Sequence, residues 1–107
     1  MAIATINPAT GETIKTFEPL SDAEVDRKIQ RAAEVFPAFR KLSFAQRAAM
    51  MVKAAEILES EKEMLGRLMT TEMGKTLRSA QEEAVKCAWG CRYYAEQIGR
   101  ASCRERV

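Results

Sequence analysis

Three capping boxes divide this chain into helical segments, and no other local feature limits its fold as strongly. Ser21, Ser43 and Ser60 are followed three residues later by Glu24, Gln46 and Glu63, respectively. In such a box the serine hydroxyl and the Glu or Gln side chain each accept a backbone hydrogen bond, which fixes where a helix begins. The boxes therefore predict three helices, with Pro37 stopping or kinking the first and the second running to about Glu59.

A fourth helix is predicted from about Thr76 to Glu96, because apolar and small residues recur there every three or four positions. Glu82 and Lys86 would form an i,i+4 ion pair on its outer side. The predicted inward faces of the four helices are Val25, Ile29, Ala32, Ala33 and Phe36; Phe44, Ala48, Met51, Val52, Ala55 and Leu58; Met64, Leu65, Leu68 and Met69; and Leu77, Ala80, Ala84, Ala88, Cys91 and Tyr94 or Ala95.

Residues 3–18 have the pattern of a β-hairpin. Thr, Ile and Phe, which favour strands, flank the turn sequence Asn-Pro-Ala-Thr-Gly at residues 7–11. Pro8 fixes its own φ and Gly11 tolerates a left-handed conformation, so the chain can reverse there. The predicted fold is thus mainly α with an N-terminal β-hairpin.

The composition is that of a small globular segment. Of the 107 residues 47% are hydrophobic and 30% are charged. The longest apolar run, residues 48–52, is far shorter than the roughly 20 residues that span a bilayer. No basic and apolar leader is visible, and three cysteines without an export signal favour a reducing compartment. We therefore expect a cytoplasmic protein without a membrane partner.

The last ten residues, IGRASCRERV, lack the helical pattern of apolar residues that the preceding sequence has. They hold three arginines and one acid and so carry the whole net charge of +2, which leaves no basic face to bind nucleic acid. The string resembles one reading frame of a common sequencing-library adapter. We therefore expect residues 1–97 to be the natural segment and residues 98–107 to be an artefactual tail that packs against nothing.

The sequence Gly74-Lys75-Thr76 matches the last three residues of a phosphate-binding loop. Such a loop also needs a glycine five positions before Gly74, where Met69 stands, and a preceding strand, where the pattern is helical. The triplet is therefore interpreted as the end of the third helix, with Gly74 as its left-handed cap and Lys75 near its negative pole.

Cys87 and Cys91 lie four residues apart on the fourth helix, without a histidine or a second cysteine pair in the chain. A metal site needs further ligands and a nucleophilic thiol needs a neighbouring base, so small buried residues are the better interpretation. The adjacent Tyr93 and Tyr94 point about 100° apart on a helix, so they do not make one stacking platform. We interpret both tyrosines as helix-packing residues.

Residues 6–96 resemble the N-terminal segment of an aldehyde dehydrogenase. The motifs that carry the resemblance occur in the family's order. They are NPATGE at residues 7–12, QRA at 46–48, KAAEIL at 53–58, TEMGKTL at 71–77, EEAV at 82–85 and RYYA at 92–95. EMGKTL and CRYYAE are most similar to the succinate-semialdehyde dehydrogenase branch.

The resemblance implies a longer NAD- or NADP-dependent enzyme that oxidises an aldehyde through a cysteine thiohemiacetal and a thioester. It implies that these residues are a truncated outer part of the cofactor-binding domain of an α/β fold, with the last helix directed toward the side where substrate enters. The family's nucleophile, base and nucleotide contacts lie downstream. We therefore expect no catalytic, cofactor-binding or metal residue here, and an inactive fragment of a homo-oligomeric parent. The alternative is an independent helical module that binds a partner through exposed apolar faces.

Overall fold

The computed structural model describes residues 3–100, and the predicted fold class of a hairpin followed by four helices is confirmed. The elements are β1 (Ile3–Ile6), β2 (Thr13–Phe17), α1 (Asp22–Phe39), α2 (Phe44–Ser60), α3 (Lys62–Met73) and α4 (Leu77–Gln97). The chain divides into two compact units after Leu42. The first unit contains the hairpin and α1, and the second contains α2, α3 and α4. None of the helices within residues 3–100 combines the length and hydropathy needed to cross a membrane.

The hairpin is antiparallel, with Ile3 opposite Phe17, and its turn has the predicted chemistry. The Asn7 side-chain oxygen accepts from the Ala9 N–H at 2.9 Å, and the Asn7 carbonyl accepts from the Gly11 N–H at 2.7 Å. Gly11 has a φ of 74°, a conformation that a side chain would disfavour. Local hydrogen bonds at the turn therefore set the reversal.

Helix α1 begins with the predicted capping box. The Ser21 hydroxyl accepts from the Glu24 N–H at 3.3 Å, and the Glu24 carboxylate accepts from the Ser21 N–H at 2.8 Å. These hydrogen bonds, the backbone one first, lower the pKa of Glu24. Pro37 was predicted to stop or kink the helix; it does not stop it, since the helix continues to Phe39, and the predicted kink stays a prediction. A proline lacks one backbone N–H donor and its ring crowds the carbonyl four residues earlier, and α1 ends two residues after Pro37.

The predicted inward face of α1 is exposed, since this helix contains no buried residue. Ile29 is 63% exposed and Phe36 is 58% exposed. The apolar residues of α1 do recur with helical spacing, but no other part of the first unit covers them.

The boundary between α2 and α3 differs from the prediction. Helix α2 begins with the expected Ser43 box, but Ser60 is its last residue and does not cap α3. The Glu61 N–H donates to the Ile57 carbonyl at 2.9 Å, so the helical ladder runs past Ser60. The Ser60 hydroxyl then donates back to the Ile57 carbonyl at 3.0 Å, which removes it from any capping role. Glu61 precedes α3 without a side-chain cap.

Small residues form the core of the second unit, where α4 packs against both α2 and α3. The buried positions are Ala55, Gly66, Ala80, Ala84, Ala88 and Ala95. A Cβ at Gly66 would come within 2.7 Å of the Gln81 Cγ and 3.3 Å of the Gln81 backbone nitrogen, so α3 and α4 approach closely here and a larger residue would displace Gln81. The core therefore rests on close backbone approach rather than on large side chains.

The predicted faces of these three helices are confirmed at the small positions and fail at several large ones. Of the alternatives at the end of α4, Ala95 is buried and Tyr94 is 65% exposed. Phe44, Met64 and Leu68 are each more than half exposed, although the pattern placed them inward. Larger side chains at these positions lie outside the contact zone because the helices meet along the alanines.

The expectation that residues from 98 onward pack against nothing is wrong for Gly99. Its backbone lies so close to the Phe44 ring that a Cβ at this position would come within 2.7 Å of the ring's Cδ2. The Arg100 N–H also donates to the Gln97 carbonyl at 3.0 Å. The rest of the predicted tail, residues 101–107, lies outside the described residues.

Candidate functional site

Gly74 ends α3 as its left-handed cap, as predicted. Its φ is 71°, and its N–H donates to the Thr70 carbonyl at 2.9 Å. Two residues separate this cap from Leu77, the first residue of α4. The glycine therefore serves a turn between two helices and not a loop that comes after a strand.

The side chain of Lys75 forms an ion pair with Glu83, two turns into α4. The hydrogen bond from the Lys75 ammonium, followed by its charge, lowers the pKa of the Glu83 carboxyl. This pair was not predicted from the sequence, because Lys75 lies outside the helix and its reach depends on the path of the turn. The ammonium is thus held by a carboxylate of its own segment.

A shallow, open groove of about 640 Å³ lies along the start of α4. Its lining residues are Lys75, Ser79, Glu82, Glu83, Lys86 and Cys87. Two cations and two anions face the groove, so it has no net preference for a charged ligand. The predicted Glu82–Lys86 pair is replaced by a bond from the Arg78 Nε to Glu82 at 3.1 Å, one turn in the other direction.

Cys87 is exposed at this groove and Cys91 is half-buried. The interpretation of both as small buried residues is therefore wrong for Cys87. This residue lies just outside the alanine seam, which is the row of buried alanines on α4 (Ala80, Ala84, Ala88 and Ala95). The chain contains no histidine that could act as a base for either thiol. Within residues 3–100 no three Cys, Asp or Glu side chains are grouped closely enough to hold a metal ion.

The aromatic residues of α4 form an exposed cluster. The Trp89 and Tyr93 rings stack with centroids 5.9 Å apart, and Tyr94 meets Tyr93 edge-on at 5.3 Å. The edge-on pair agrees with the prediction that the two tyrosines do not make one platform. The interpretation of both as helix-packing residues is wrong within the described chain, because Tyr93 is 47% and Tyr94 is 65% exposed.

One ion pair joins two helices of the second unit. The Arg92 Nε donates to one Glu59 oxygen at 3.1 Å, and its Nη2 donates to the other at 2.6 Å. These bonds lower the pKa of Glu59 and raise that of Arg92. The two residues are 33 positions apart, so no local pattern could have indicated the pair.

The described residues therefore form a helical scaffold with a mixed-charge groove along the start of α4. The family model described as the aldehyde dehydrogenase family matches residues 1–106, and this chain belongs to that family.

Curated relatives and solved structures add detail to this family membership. The chain is 59% identical over 97 residues to the NADP(+) succinate-semialdehyde dehydrogenase of Mycobacterium avium, covering 90% of this chain and 21% of that protein. It is 56% identical over 96 residues to the corresponding enzyme 1 of Mycobacterium tuberculosis, with 90% and 21% covered. A crystal structure of succinic semialdehyde dehydrogenase from Streptococcus pyogenes in complex with NADP+ superposes with a TM-score of 0.84 at 32% identity. That match covers 90% of this chain and 21% of the other. The chain thus spans about a fifth of the length of these relatives.

Proposed function

We propose that this chain is a segment of an NADP-dependent dehydrogenase that oxidises succinate semialdehyde to succinate. The identity of 59% over 97 residues to the Mycobacterium avium enzyme is the observation that carries the proposal. In the overall reaction the aldehyde carbon gains an oxygen from water, hydride passes to the nicotinamide, and protons are released. The use of NADP rather than NAD is proposed from the cofactor named for the curated relatives.

We propose that residues 3–100 do not form a dinucleotide site by themselves. A pyrophosphate turn requires a glycine-rich loop between a strand and a helix, with free backbone N–H groups directed at the ligand. Here Gly74 caps a helix, and Lys75 is bound to Glu83. We assign cofactor binding and the cysteine chemistry to other parts of the enzyme and derive no chemical step from residues 3–100.

For residues 1–97 we propose a scaffold role as a partial cofactor-binding domain. The buried alanines of α4 and the Arg92–Glu59 pair support this role, since both fix helices to one another. The contact between Gly99 and Phe44 supports extending the packed segment to residue 99. The artefactual origin of residues 98–107, a homo-oligomeric parent and a cytoplasmic location stay predictions.

A second candidate function is a helical module that binds a partner protein through exposed apolar faces. The exposed cluster of Trp89, Tyr93 and Tyr94 favours it. The gene distinguishes a binding module from an enzyme segment by its length beyond the matched region. A long reading frame that contains a cysteine motif supports the enzyme, whereas a stop codon near residue 107 supports the module.

The proposal is tested on the protein encoded by the uninterrupted gene. We expect it to reduce NADP when succinate semialdehyde is added, as monitored by the absorbance of the reduced nicotinamide. The 107-residue chain alone should show no turnover with either NAD or NADP. Lack of aldehyde oxidation by the complete protein would reject the proposed activity. Turnover by the short chain that is lost on Cys87→Ala would reject the scaffold role.

A further inference from the structure

Two thiols lie on the same side of helix α4. Cys87 and Cys91 are four residues apart within the helix, and side chains at this spacing are neighbours, with about 5–6 Å between their Cβ atoms. Both cysteines are free, with Cys87 exposed and Cys91 half-buried. The helix therefore carries a pair of neighbouring thiols whose first member is open to solvent.

The spacing of this pair is too wide for a disulfide. A disulfide holds its sulfur atoms about 2.05 Å apart and needs Cβ atoms about 3.5–4.5 Å apart, which is less than the spacing of these two side chains. The helix from Leu77 to Gln97 would have to distort to bring the two Cβ atoms together. An ion bonded to both sulfurs spans a wider gap, because two metal–sulfur bonds of about 2.3 Å allow the sulfurs to lie up to about 4.6 Å apart.

The number of available ligands selects the ion. Zinc in structural protein sites takes four ligands, commonly cysteine and histidine side chains. The chain has no histidine, and among residues 3–100 the Cys, Asp and Glu side chains form no cluster of three that could hold a metal ion. Thiolates are soft ligands that favour Cu(I), an ion that is stable with only two sulfur ligands.

We propose that Cys87 and Cys91 form a two-coordinate site for the soft monovalent cation Cu(I). On binding, two S–H bonds break, two Cu–S bonds form and two protons pass to solvent, with no change in the oxidation state of copper or sulfur. The inference goes beyond the proposed function and does not depend on it. It departs from the expectation that no residue here binds a metal, because that expectation required ligands beyond the two thiols.

The groove beside the exposed thiol suits the product of this step, which carries a single negative charge. Both glutamates of the groove, Glu82 and Glu83, already accept hydrogen bonds from cations, namely Arg78 and Lys75. Lys86 directly precedes the exposed cysteine and lines the same groove. Its ammonium group attracts the negative charge of the copper dithiolate.

The first test uses the 107-residue chain with Cys103→Ser, which leaves Cys87 and Cys91 as the only thiols. Cu(I) is supplied without oxygen as its coloured complex with the chelator ferrozine, and the loss of that colour measures transfer to the protein. We expect one Cu(I) per chain, and binding that is weaker by about tenfold or more in Cys87→Ser and in Cys91→Ser. No transfer, or full binding by either single-thiol variant, would overturn the inference.

A matched control keeps two thiols but separates them. When Val85→Cys is combined with Cys87→Ser in the same background, the thiols are six residues apart and point about 120° away from each other around the helix. This variant should bind Cu(I) about tenfold more weakly than the original pair, although the number of thiols is the same. Equal affinity would overturn the inference, because any two thiols would then suffice.

Two further measurements examine the coordination itself. Sedimentation should show a monomer with bound Cu(I), whereas a dimer that forms when Cu(I) is added would contradict the site, because the ion would then join two chains. X-ray absorption at the copper edge should give two sulfur neighbours for each ion. Three or more sulfur neighbours would reject the two-coordinate assignment.

Discussion

Arg92 and Glu59 show how one pair of residues can fix two helices. Each carboxylate oxygen accepts a hydrogen bond from a different guanidinium nitrogen, so the pair restrains orientation as well as distance. The side chains are 39% and 43% exposed, which means that water screens part of the attraction. The Arg92–Glu59 pair therefore helps to align α2 with α4. An exposed ion pair within one helix contributes less to packing between helices.

Arg92→Ala should lower the thermal stability of the chain more than Arg78→Ala, whose partner Glu82 lies on the same helix.

The Arg92–Glu59 pair also predicts that stability depends on pH. Because the pKa of Glu59 is lowered in the folded chain, its stabilisation is complete above the pKa of the unfolded chain, about 4.3. It is lost as the pH falls through the lower folded value.

Thermal melts monitored by circular dichroism between about pH 6 and pH 3, a range that spans the pKa of the Glu59 carboxyl, would measure the loss of stability and its pH dependence. Arg92→Ala should remove part of the acid-induced loss of stability. An Arg92→Ala variant with the same pH profile as the unchanged chain would contradict the role of the pair.

The starts of the helices depend on local chemistry to different degrees. The boxes at Ser21 and Ser43 form as complete reciprocal pairs of hydrogen bonds. The Ser60 hydroxyl instead bonds to the preceding turn. A capping sequence is therefore not sufficient to start a helix, because the helix before it can continue through the serine.

Three serine substitutions separate these cases. Ser21→Ala and Ser43→Ala should each cost about 0.5–2 kcal/mol of helix stability, whereas Ser60→Ala should cost less than about 0.5 kcal/mol. Ser21→Ala should remove more helical signal, because α1 has no buried residue to support it. Far-UV circular dichroism across temperature measures all three. A loss at Ser60 that equals the loss at Ser43 would indicate that Ser60 caps α3 after all.

Local signals predicted the elements that depend on their own residues. The Asn7 turn, the first two boxes and the Gly74 cap were visible because each is completed within a few positions. Burial was not predictable to the same degree, since it depends on which helices meet. Cys87 and the α4 tyrosines were expected to be packed, yet the helices meet along the alanines and leave these side chains outside. The absence of a local catalytic motif remains a prediction from sequence and resemblance.

The second unit as a whole has a core of small residues, and no large side chain in the described part of the chain is fully buried. Burying a large apolar side chain contributes about 1.5–3 kcal/mol, whereas ordering one residue's backbone costs about 1–2 kcal/mol. Alanine seams alone recover little of that cost. Segments of this kind need contacts beyond their own residues to hold a single packed state.

The 107-residue chain alone should therefore have strong helical circular dichroism with loose tertiary packing. We expect it to bind a dye that recognises exposed apolar surface, and to melt over a broad temperature range or aggregate. Dye fluorescence and calorimetry measure these properties together. A sharp, reversible two-state melt of a soluble monomer would contradict this expectation and favour the independent helical module.

We propose that these residues are the scaffold of a succinate-semialdehyde dehydrogenase, and the turnover rate of a chimeric enzyme shows whether they can serve as one. The chimera carries residues 1–97 of this chain in place of the matched fifth of the Mycobacterium avium enzyme, with which they share 59% identity. Since this segment supplies no reacting group in our account, kcat for NADP-linked oxidation of succinate semialdehyde should stay within about tenfold of the unmodified relative, a change in barrier of about 1.4 kcal/mol. A soluble, folded chimera without dehydrogenase activity would contradict the proposed scaffold role.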